Sequence, residues 1–441
     1  MLILFKNKLL AIAFTLQLLL PSIALSDPAS FPRGTHDIYI PKVNGVRTDI
    51  LQNITQVIDL SISQGYYPGA VVLITHHGKI IYRGVFGNRR ILPTIAPMQL
   101  NTIFDLASLT KVLATAPAIM QLVEQGKINL DNPVSYYWPT FTSHGKDTIT
   151  IRELLTHTSG LPIGIKEGNI GSEKIFEQIE NLRLDNTPGS IFSYSDVNFL
   201  VLAHLVEIIS SEKFDQYVQH HLYKPLAMQH TFFLPAEKLR DQIAPTEKID
   251  DKILWGVVDD PTARAMGGVA GSAGLFSNAQ DINIFAECLL NNGRMTNNKY
   301  LLGPLTILKM TTPQTPDRIL DVRGFGWDID SVYSNRGILF PLRSYGHTGW
   351  TGTSVWIDPV THTSIIILTS RAHPTPAPNN QLIQDRRTIA NIVAASLTDV
   401  SIINLTNTGM GELSRVYTET VPVNVPKQLA INHIFKEVIL S

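Results

Sequence analysis

The chain of 441 residues has a single cysteine, Cys288, so no intramolecular disulfide can form. Cys288 lies in an apolar helical pattern and is interpreted as a core residue. Lys and Arg number 36 against 37 Asp and Glu, and no block is rich in Lys or Arg. The basic surface that nucleic-acid binding requires is therefore missing. No repeat of solenoid length occurs. What remains is an ordinary balance for a folded protein of enzyme size, with 44% hydrophobic and 17% charged residues.

The apolar run near the N-terminus is shorter than a membrane-spanning helix. It extends from Leu9 to Leu20, follows Lys6 and Lys8, and precedes the small-residue sequence Ala24-Leu25-Ser26. This order is typical of a secretory signal peptide over residues 1–26, and the run is too short for a comfortable membrane span. We expect a bacterial periplasmic protein, attached to the inner membrane only if the signal stays uncleaved. No cysteine follows the signal, so a lipoprotein anchor is not supported.

The sequence has few patterns typical of metal ligands. His76 and His77 are adjacent, but no carboxylate or second histidine stands at zinc spacing from them. We interpret both as strand and turn residues, because the strand-like runs 70–75 and 79–83 flank a His77-Gly78 turn in the pattern of a β-hairpin. We therefore do not interpret these histidines as metal ligands.

The order of strand-like and helical patterns predicts an α+β fold. A helix over 50–62 precedes the hairpin, a mainly helical middle follows, and strand-like runs over 353–357 and 363–368 lead to a helix over 384–397. Strands from both chain ends predict one antiparallel sheet flanked by helices, with a mostly helical lobe inserted. We expect the following division: an α/β sheet domain of 33–107 and 268–398, a helical domain of 108–267, and a C-terminal tail of 399–441 without an assigned role.

The stretch from Phe104 to Thr115 holds the first candidate catalytic pair. Ser108 is placed where a helix begins, and Lys111 lies one turn later on the same face. Free backbone N–H groups and the helix dipole favour developing negative charge there. A lysine kept neutral by desolvation or by a second cation can activate a serine. On this stretch alone, a capping serine beside a solvated lysine is the commoner arrangement, because Ser-x-x-Lys often arises by accident.

A second serine lies in the small-residue stretch Ala270 to Gly274. This stretch imitates a nucleophile elbow in which the first glycine is replaced. A true elbow follows a β-strand, and the residues from Asp260 to Met266 do not have a buried-strand pattern. We therefore interpret Ser272 as a loop serine.

Three motifs in order carry a family resemblance: Ser108-x-x-Lys111, Tyr194-Ser195-Asp196 and Gly346-His347-Thr348-Gly349, the last beside a strand-like run. The ordered set resembles the serine β-lactamase and penicillin-binding-protein superfamily, in the branch of class C β-lactamases, D-Ala-D-Ala carboxypeptidases and related esterases. The similarity covers roughly residues 46–395. It extends to 154–162, 225–228, 271–277 and 368–371, and the runs 266–277 and 346–353 are most similar to the penicillin-binding protein 4B group. A β-lactamase/transpeptidase-like fold is thereby implied.

The resemblance implies roles for the catalytic groups. Ser108 would be the acyl-accepting nucleophile and Lys111 its activating partner. Tyr194 would carry the proton, as base in acylation and as acid to the leaving amine. The backbone N–H groups of Ser108 and Trp350 would form the oxyanion hole. Taken alone, Tyr194 also fits an aromatic residue that packs before its helix.

The resemblance also implies substrate contacts, with two departures. His347 and Thr348 would flank the substrate, Thr348 binding its carboxylate, and Gly349 would leave room for backbone pairing with an extended peptide. Asp196 stands where many relatives have Asn, and would either fix Lys111 as a cation or repel an acidic substrate. His347 stands where Lys is commoner, and we expect it to be partly charged near neutral pH, so that carboxylate recognition depends on pH.

We interpret the chain as an active-site serine hydrolase of the D-Ala-D-Ala carboxypeptidase type. Its partners would be peptidoglycan peptides, with β-lactams acylating the same serine. This interpretation implies neither a metal nor an organic cofactor. Within enzymes, a class C-like β-lactamase and a small-ester hydrolase stay open, since the motifs do not encode the deacylation rate. A binding module that recognises penicillin or peptidoglycan with little turnover is the alternative from another class, because a fold alone does not fix function.

Overall fold

The computed structural model describes residues 31–32, 34–165 and 171–400. The predicted signal peptide and all but residues 399 and 400 of the predicted tail lie outside these ranges. Within them, no helix combines the length and the apolar character that crossing a bilayer requires.

The bounds of the strands are β1 (Thr35–Tyr39), β2 (Gly69–His76), β3 (Lys79–Arg90), β4 (Ala96–Pro97), β5 (Phe104–Asp105), β6 (Lys248–Ile249), β7 (Lys252–Ile253), β8 (Phe276–Ser277), β9 (Val322–Arg323), β10 (Asp328–Asp330), β11 (Tyr345–Thr348), β12 (Thr353–Asp358) and β13 (Thr363–Thr369). Those of the α-helices are α1 (Thr48–Leu51), α2 (Asn53–Ser63), α3 (Ala116–Glu124), α4 (Ile151–Leu155), α5 (Gly171–Asn181), α6 (Asp196–Ser210), α7 (Phe214–Val218), α8 (Lys224–Leu226), α9 (Pro261–Ala265), α10 (Ala279–Leu290), α11 (Pro304–Thr311) and α12 (Asn379–Ser396). Shorter 3₁₀ or π turns span Ala107–Leu109, Lys111–Thr115, Val134–Tyr136, Ser143–Thr148, Gln219–Tyr223 and Glu237–Gln242.

The main sheet joins strands from both ends of the chain. Its order is β1-β3-β2-β13-β12-β11-β10-β9, with β4 attached to β3, and its neighbouring strands run antiparallel. The pair that joins the two chain ends is β2 with β13, in a register that places Ile74 opposite Ile365. The predicted α+β fold, with one antiparallel sheet built from both chain ends, is confirmed.

Helices cover both faces of the sheet, and successive residues of a strand are buried in two different cores. Along β2, Val71 and Leu73 belong to the larger core together with residues of α10, such as Phe285. Val72 and Ile74 point to the opposite face, into a smaller core that α2 and α12 complete. Because successive side chains of a strand point to opposite faces, the apolar run 70–74 of β2 needs cover on both sides.

Local signals predict several elements correctly. The hairpin of β2 and β3 turns at His77 and Gly78, which both have positive φ, as a two-residue hairpin turn requires. Thr150 and Glu153 form the capping box that opens α4. The predicted helix over 384–397 is longer at its N-terminus, since α12 begins at Asn379. Cys288 is buried in α10, where burial raises the pKa of its thiol to about 12.

Candidate active site

Ser108 follows a strained turn between β5 and the helical segment that continues into α3. Ala107 has φ of 46°, which is unusual for a residue with a side chain. The turn is held by Asp105, whose Oδ1 accepts a hydrogen bond from the Ala107 amide at 2.9 Å. The Leu106 amide donates to the carbonyl of Leu275 at 2.9 Å. Ser108 itself stays partly exposed, so that its hydroxyl is accessible to a substrate.

Lys111 is fully buried, and its Nζ contacts three oxygen atoms, two of them from distant parts of the chain. Its Nζ lies 2.9 Å from Ser108 Oγ and 3.0 Å from the carbonyl oxygen of Ser272. The third partner is Asp196, whose Oδ1 lies 2.6 Å from the same nitrogen. An ammonium group has three N–H donors, so this set of acceptors matches the charged form.

The charge of Lys111 is set by opposing effects. Burial lowers the pKa of Lys111, but the Asp196 carboxylate and Tyr194 raise it more, and the net pKa lies above its usual value. Lys111 is therefore a cation at neutral pH. Of the two roles predicted for Asp196, the geometry matches the one in which it fixes Lys111 as a cation.

Tyr194 lies beside Lys111 at the start of α6. Lys111 Nζ is 5.1 Å from the centroid of its ring. On its other side the ring stacks against His157, with ring centroids 4.4 Å apart. His157 Nδ1 accepts a hydrogen bond from the Ser195 amide at 3.1 Å, which fixes the imidazole in place. The segment before α6 is thus anchored, and the phenol stays close to the lysine.

His157 is a buried neutral histidine that the motifs did not identify as a site residue. Burial together with the nearby cations Arg323 and Lys111 holds its pKa well below the usual value. Since its Nδ1 accepts a hydrogen bond, its Nε2 carries the proton. It lies within the run 154–162 that carried part of the family resemblance, so that run was the signal that pointed to it.

The turn between β11 and β12, together with the first residue of β12, lies against the Ser108 segment, as the predicted oxyanion hole requires. The Thr351 hydroxyl donates to the carbonyl of Asp105 at 2.7 Å, and the Thr353 hydroxyl donates to that of Leu106 at 3.1 Å. Trp350 lies within this turn. The Arg371 guanidinium holds Trp350 in place, because its Nε donates to the Trp350 carbonyl at 3.1 Å and it stacks over the indole at 4.6 Å.

The absence of a side chain at Gly349 allows this close approach. A Cβ at Gly349 would lie 2.4 Å from the Leu106 carbonyl oxygen and 2.3 Å from Thr353 Oγ1. The room at this position is therefore filled by the Ser108 segment itself, rather than kept for the substrate backbone as the resemblance implied. Thr348, at the end of β11, stays partly exposed.

The prediction that His347 is partly charged near neutral pH is wrong in this geometry. Burial lowers the pKa of His347 well below its usual value, and the cations Arg323 and Lys111 lower it further. Its Nδ1 donates to the carbonyl of Thr348 at 2.8 Å, which leaves Nε2 as a hydrogen-bond acceptor. A neutral imidazole that offers a lone pair accepts a hydrogen bond from an amide or water and does not attract a carboxylate.

The loop that contains Ser272 contacts Lys111. Ser272 lies in a loop, as predicted, and is buried, and its contribution is the carbonyl that accepts from Lys111. Gly271 lets this loop pack against α6, since a Cβ there would lie 2.0 Å from the Phe199 carbonyl oxygen. The Thr115 hydroxyl also donates to the Gly271 carbonyl at 2.7 Å. Among the described residues, the one group with metal-ligand spacing is His76, His77 and Asp399, which does not belong to this site.

Comparison with known proteins places the geometry in context. A family model described as β-lactamase matches residues 51–388. A protein of Escherichia coli (strain K12) named "Putative D-alanyl-D-alanine carboxypeptidase" is 32% identical over 373 residues, which cover 76% of this chain and 85% of that protein. An N-acetylmuramyl-L-alanine amidase of Bacillus subtilis (strain 168) is 34% identical over 366 residues, or 74% of this chain and 82% of the relative.

Solved structures share the fold at lower identity. A penicillin-binding protein homologue from Caulobacter crescentus aligns with a TM-score of 0.65 and 18% identity, over 82% of this chain and 100% of that one. EstCE1, a hydrolase with promiscuous acyltransferase activity, aligns with a TM-score of 0.64 and 24% identity, over 77% of this chain and 99% of that one. At these identities the likeness concerns the fold alone.

Proposed function

The chain belongs to the β-lactamase family and is a serine hydrolase, and from this premise we propose that it acts on D-Ala-D-Ala-terminated peptidoglycan peptides through an acyl-enzyme on Ser108. β-Lactams would acylate the same hydroxyl. The observation that carries the proposal is the 2.9 Å hydrogen bond between the buried Lys111 Nζ and the partly exposed Ser108 Oγ, beside Tyr194. A solvated lysine next to a capping serine would have neither this burial nor these partners.

The proposed reaction proceeds in two steps. Ser108 Oγ attacks the carbonyl carbon of the terminal peptide bond, and its proton passes to the Tyr194–Lys111 pair. When the C–N bond breaks, that proton goes to the leaving D-alanine nitrogen, and the acyl group stays on Ser108 as an ester. Water then attacks the ester and releases the shortened peptide. Because Lys111 starts as a cation, it must release a proton to water before it can accept the proton of Ser108.

The developing oxyanion would be held between two main-chain amides. Ser108 offers one at a helix start, and Trp350 offers the other in the turn that Arg371 and Thr351 fix. In other hydrolases, the loss of one such donor costs about 3–4 kcal/mol of transition-state stabilisation. The contact of Gly349 with the Leu106 carbonyl supports this role, since it brings the two amides onto neighbouring segments.

The substrate class is supported by the relatives and by the chemistry of the site. The E. coli relative is named for action on D-alanyl-D-alanine, and the B. subtilis relative for action on N-acetylmuramyl-L-alanine, both of which are peptidoglycan components. Thr348 is the group we assign to the substrate carboxylate. The neutral His347 would accept a hydrogen bond from the substrate amide instead of pairing with its charge.

A periplasmic location would bring the enzyme to this substrate. The basic start, apolar run and small-residue site within residues 1–26 support export. Fractionation of cells that produce the full chain tests the location: we expect release with the periplasmic fraction at a mass reduced by the signal. Recovery with the inner membrane at full mass would support the uncleaved alternative.

Labelling with a fluorescent penicillin tests the nucleophile. We expect one adduct per chain, located by peptide mass spectrometry on Ser108 and lost in Ser108→Ala. Ser272→Ala is the matched control, since Ser272 also lies beside Lys111, and it should label like the wild type. An adduct that persists in Ser108→Ala would overturn the assignment.

Turnover assays then separate the substrate classes. Release of D-alanine from a D-Ala-D-Ala peptide, together with a long-lived penicilloyl adduct, supports the carboxypeptidase. Sustained hydrolysis of nitrocefin supports a β-lactamase, and hydrolysis confined to small esters supports an esterase. Labelling without turnover of any of these substrates would leave the binding module as the function.

A further inference from the structure

A cluster of two histidines and one aspartate lies where β2 ends and β13 begins. His76 ends β2, His77 begins the hairpin turn, and Asp399 follows α12. Each offers one ligand atom, and these three atoms lie within 4.8 Å of one another. We propose that His76, His77 and Asp399 bind a divalent transition-metal ion of the Zn²⁺ class. The proposal does not depend on the proposed catalytic activity.

The strand β13 shows how the cluster is separated from the active site. At its first residue, the Thr363 hydroxyl contacts His76 Nδ1 at 3.0 Å. At its last residue, the Thr369 hydroxyl donates to the carbonyl of Gly352 at 3.0 Å, close to Trp350. Seven residues of extended chain span about 20 Å, so the metal would not take part in the chemistry at Ser108.

The distance between two of the ligands fits a small ion. His76 Nε2 lies 3.1 Å from Asp399 Oδ1. Nitrogen and oxygen ligands lie about 2.0–2.2 Å from zinc, so two of them on a tetrahedral ion are about 3.3–3.5 Å apart. The small outward adjustment needed is within the range of side-chain rotation, since Asp399 is partly exposed.

The His76 ring is oriented by contacts that would form a second shell. His76 is buried, and its Nδ1 faces the Thr363 hydroxyl. That hydroxyl in turn is hydrogen-bonded to Thr361, which Asp358 holds through its carboxylate. Histidine ligands in metal sites usually have their other ring nitrogen fixed in this way, which aims the free nitrogen at the metal.

The turn conformation fixes His77 as well. His77 adopts a positive φ of 47°, and its amide donates to the His362 carbonyl at 2.8 Å, which ties the β2–β3 turn to the neighbouring β12–β13 turn. Its ring stacks on that of His362, with centroids 5.5 Å apart. The imidazole is exposed on one side, so an ion could reach it from solvent.

The Asp399 carboxylate packs directly against Gly45, where a side chain would leave no room for it. Gly45 has φ of 82°, and a Cβ there would lie 2.1 Å from Asp399 Oδ2. The Thr398 amide donates to the Gly45 carbonyl at 2.8 Å. Backbone hydrogen bonds thus hold the hairpin turn to His362 and the Asp399 segment to Gly45, which lowers the entropic cost of forming the site.

The donor set indicates the kind of ion. Two imidazole nitrogens and one carboxylate oxygen suit Zn²⁺ and similar ions and leave the fourth position to water. Mg²⁺ and Ca²⁺ prefer oxygen ligands alone. A bound ion would join the end of α12 to the two hairpin turns, and its binding energy would stabilise the folded chain.

The test uses the full chain freed of metal with a chelator, and Zn²⁺ alone as the ligand. Calorimetric titration should give one ion per chain, and the thermal midpoint should rise with Zn²⁺ and fall again with EDTA. Excess Mg²⁺ should not compete. Co²⁺ should give the visible absorption of a tetrahedral site. Asp399→Asn and His77→Gln should each weaken Zn²⁺ binding tenfold or more and remove the rise in the midpoint.

A second histidine–carboxylate group provides the matched control. His220 and His221 both contact Glu212, and His221 Nε2 lies 2.8 Å from it. His221→Gln should leave the tight binding unchanged, as should Ser108→Ala. His77 is exposed, so that His77→Gln keeps the fold intact and remains informative if Asp399→Asn does not. Loss of binding in His221→Gln but not in His77→Gln, or no saturable binding to the wild type, would overturn the proposal.

Discussion

Lys111 and Asp196 form an ion pair of 2.6 Å in the centre of the candidate active site. The lysine is fully buried, whereas the carboxylate is partly exposed at the start of α6. The pair keeps a buried cation compensated, which makes its burial tolerable. The pKa of Lys111 therefore depends on the carboxylate of Asp196.

Replacing Asp196 by Asn removes the charge and keeps the size of the side chain. Burial would then lower the pKa of Lys111 without the opposing carboxylate. We expect the rise of kcat/KM with pH to move to lower pH, since more Lys111 is neutral there. Each unit by which the pKa of Lys111 falls raises the neutral fraction about tenfold at pH values below that pKa. The check is the pH profile of kcat/KM with a small ester or a D-Ala-D-Ala peptide.

The exposed Asp241 supplies the control for that profile. Asp241→Asn removes a carboxylate from the surface and should leave the profile unchanged. A profile for Asp196→Asn that coincides with that of the wild type would show that the protonation of Lys111 does not limit acylation.

Tyr194→Phe tests the phenol with little effect on packing. The ring still stacks on His157, so we expect an unchanged thermal midpoint. The hydroxyl that carries the proton is lost, and removing a general acid–base group typically slows a reaction about 10²–10⁴-fold. The rate of adduct formation with a penicillin, followed by intact mass, measures the effect. Tyr333→Phe is the control, since the ring of Tyr333 lies 5.6 Å from that of Tyr194, and it should be acylated at the normal rate. A normal rate in Tyr194→Phe as well would show that the Tyr194 hydroxyl does not carry the proton.

Gly349→Ala should separate the two amides of the proposed oxyanion hole. The new Cβ would collide with the Leu106 carbonyl oxygen at 2.4 Å and displace the turn that contains Trp350. We expect a loss of about 10²–10³ in the acylation rate, the usual effect of one missing oxyanion donor. Gly164→Ala is the control, since a Cβ there has no neighbour within 4 Å. Normal acylation by Gly349→Ala would mean that Trp350 does not stabilise the oxyanion.

Asp105 should make the stability of the chain depend on pH. Burial and the neighbouring Asp259 raise the pKa of Asp105 to about 7, whereas an unfolded Asp titrates near ~3.9. Between these values the folded state binds a proton that the unfolded state does not. This contribution to the free energy of unfolding therefore falls as the pH rises from about 4 to 7, by at most about 1.4 kcal/mol per pH unit, and is constant above that window.

Urea unfolding across this window, with wild type and Asp105→Asn, isolates the contribution. Asn does not titrate, so its curve should be flatter than that of the wild type by this amount. The exposed Asp147 serves as control, since Asp147→Asn should keep the wild-type slope. A slope that persists in Asp105→Asn would assign the pH dependence to other groups.

The sequence was sufficient for features that short stretches encode. The β2–β3 hairpin follows from its strand pattern and the His77-Gly78 turn. The contact of Ser108 with Lys111 follows from a spacing of three residues on a helical segment. The closeness of the turn after β11 to the Ser108 segment followed from the family resemblance, and the Thr351 contact with the Asp105 carbonyl agrees with it.

Features that depend on burial or on distant partners could not be predicted. The charge of His347 is set by its burial near Arg323 and Lys111, which a motif does not report. The carbonyl of Ser272 reaches Lys111 across 161 residues of sequence. His76 meets Asp399 across 323 residues, so the local sequence around His76 does not contain this carboxylate. In each case the tertiary fold supplies the contact.

The pairing of β2 with β13 constrains how the chain can fold. His76 and Thr363, which face each other in this pair, are separated by 287 residues. A growing chain can close the hairpin of β2 and β3 early, but β2 cannot pair with β13 until residues 363–369 have been synthesised. Closing so long a loop makes assembly slow. Until then one edge of β2 lacks its neighbouring strand. An unpaired strand edge with apolar side chains makes the nascent protein prone to aggregation during that interval.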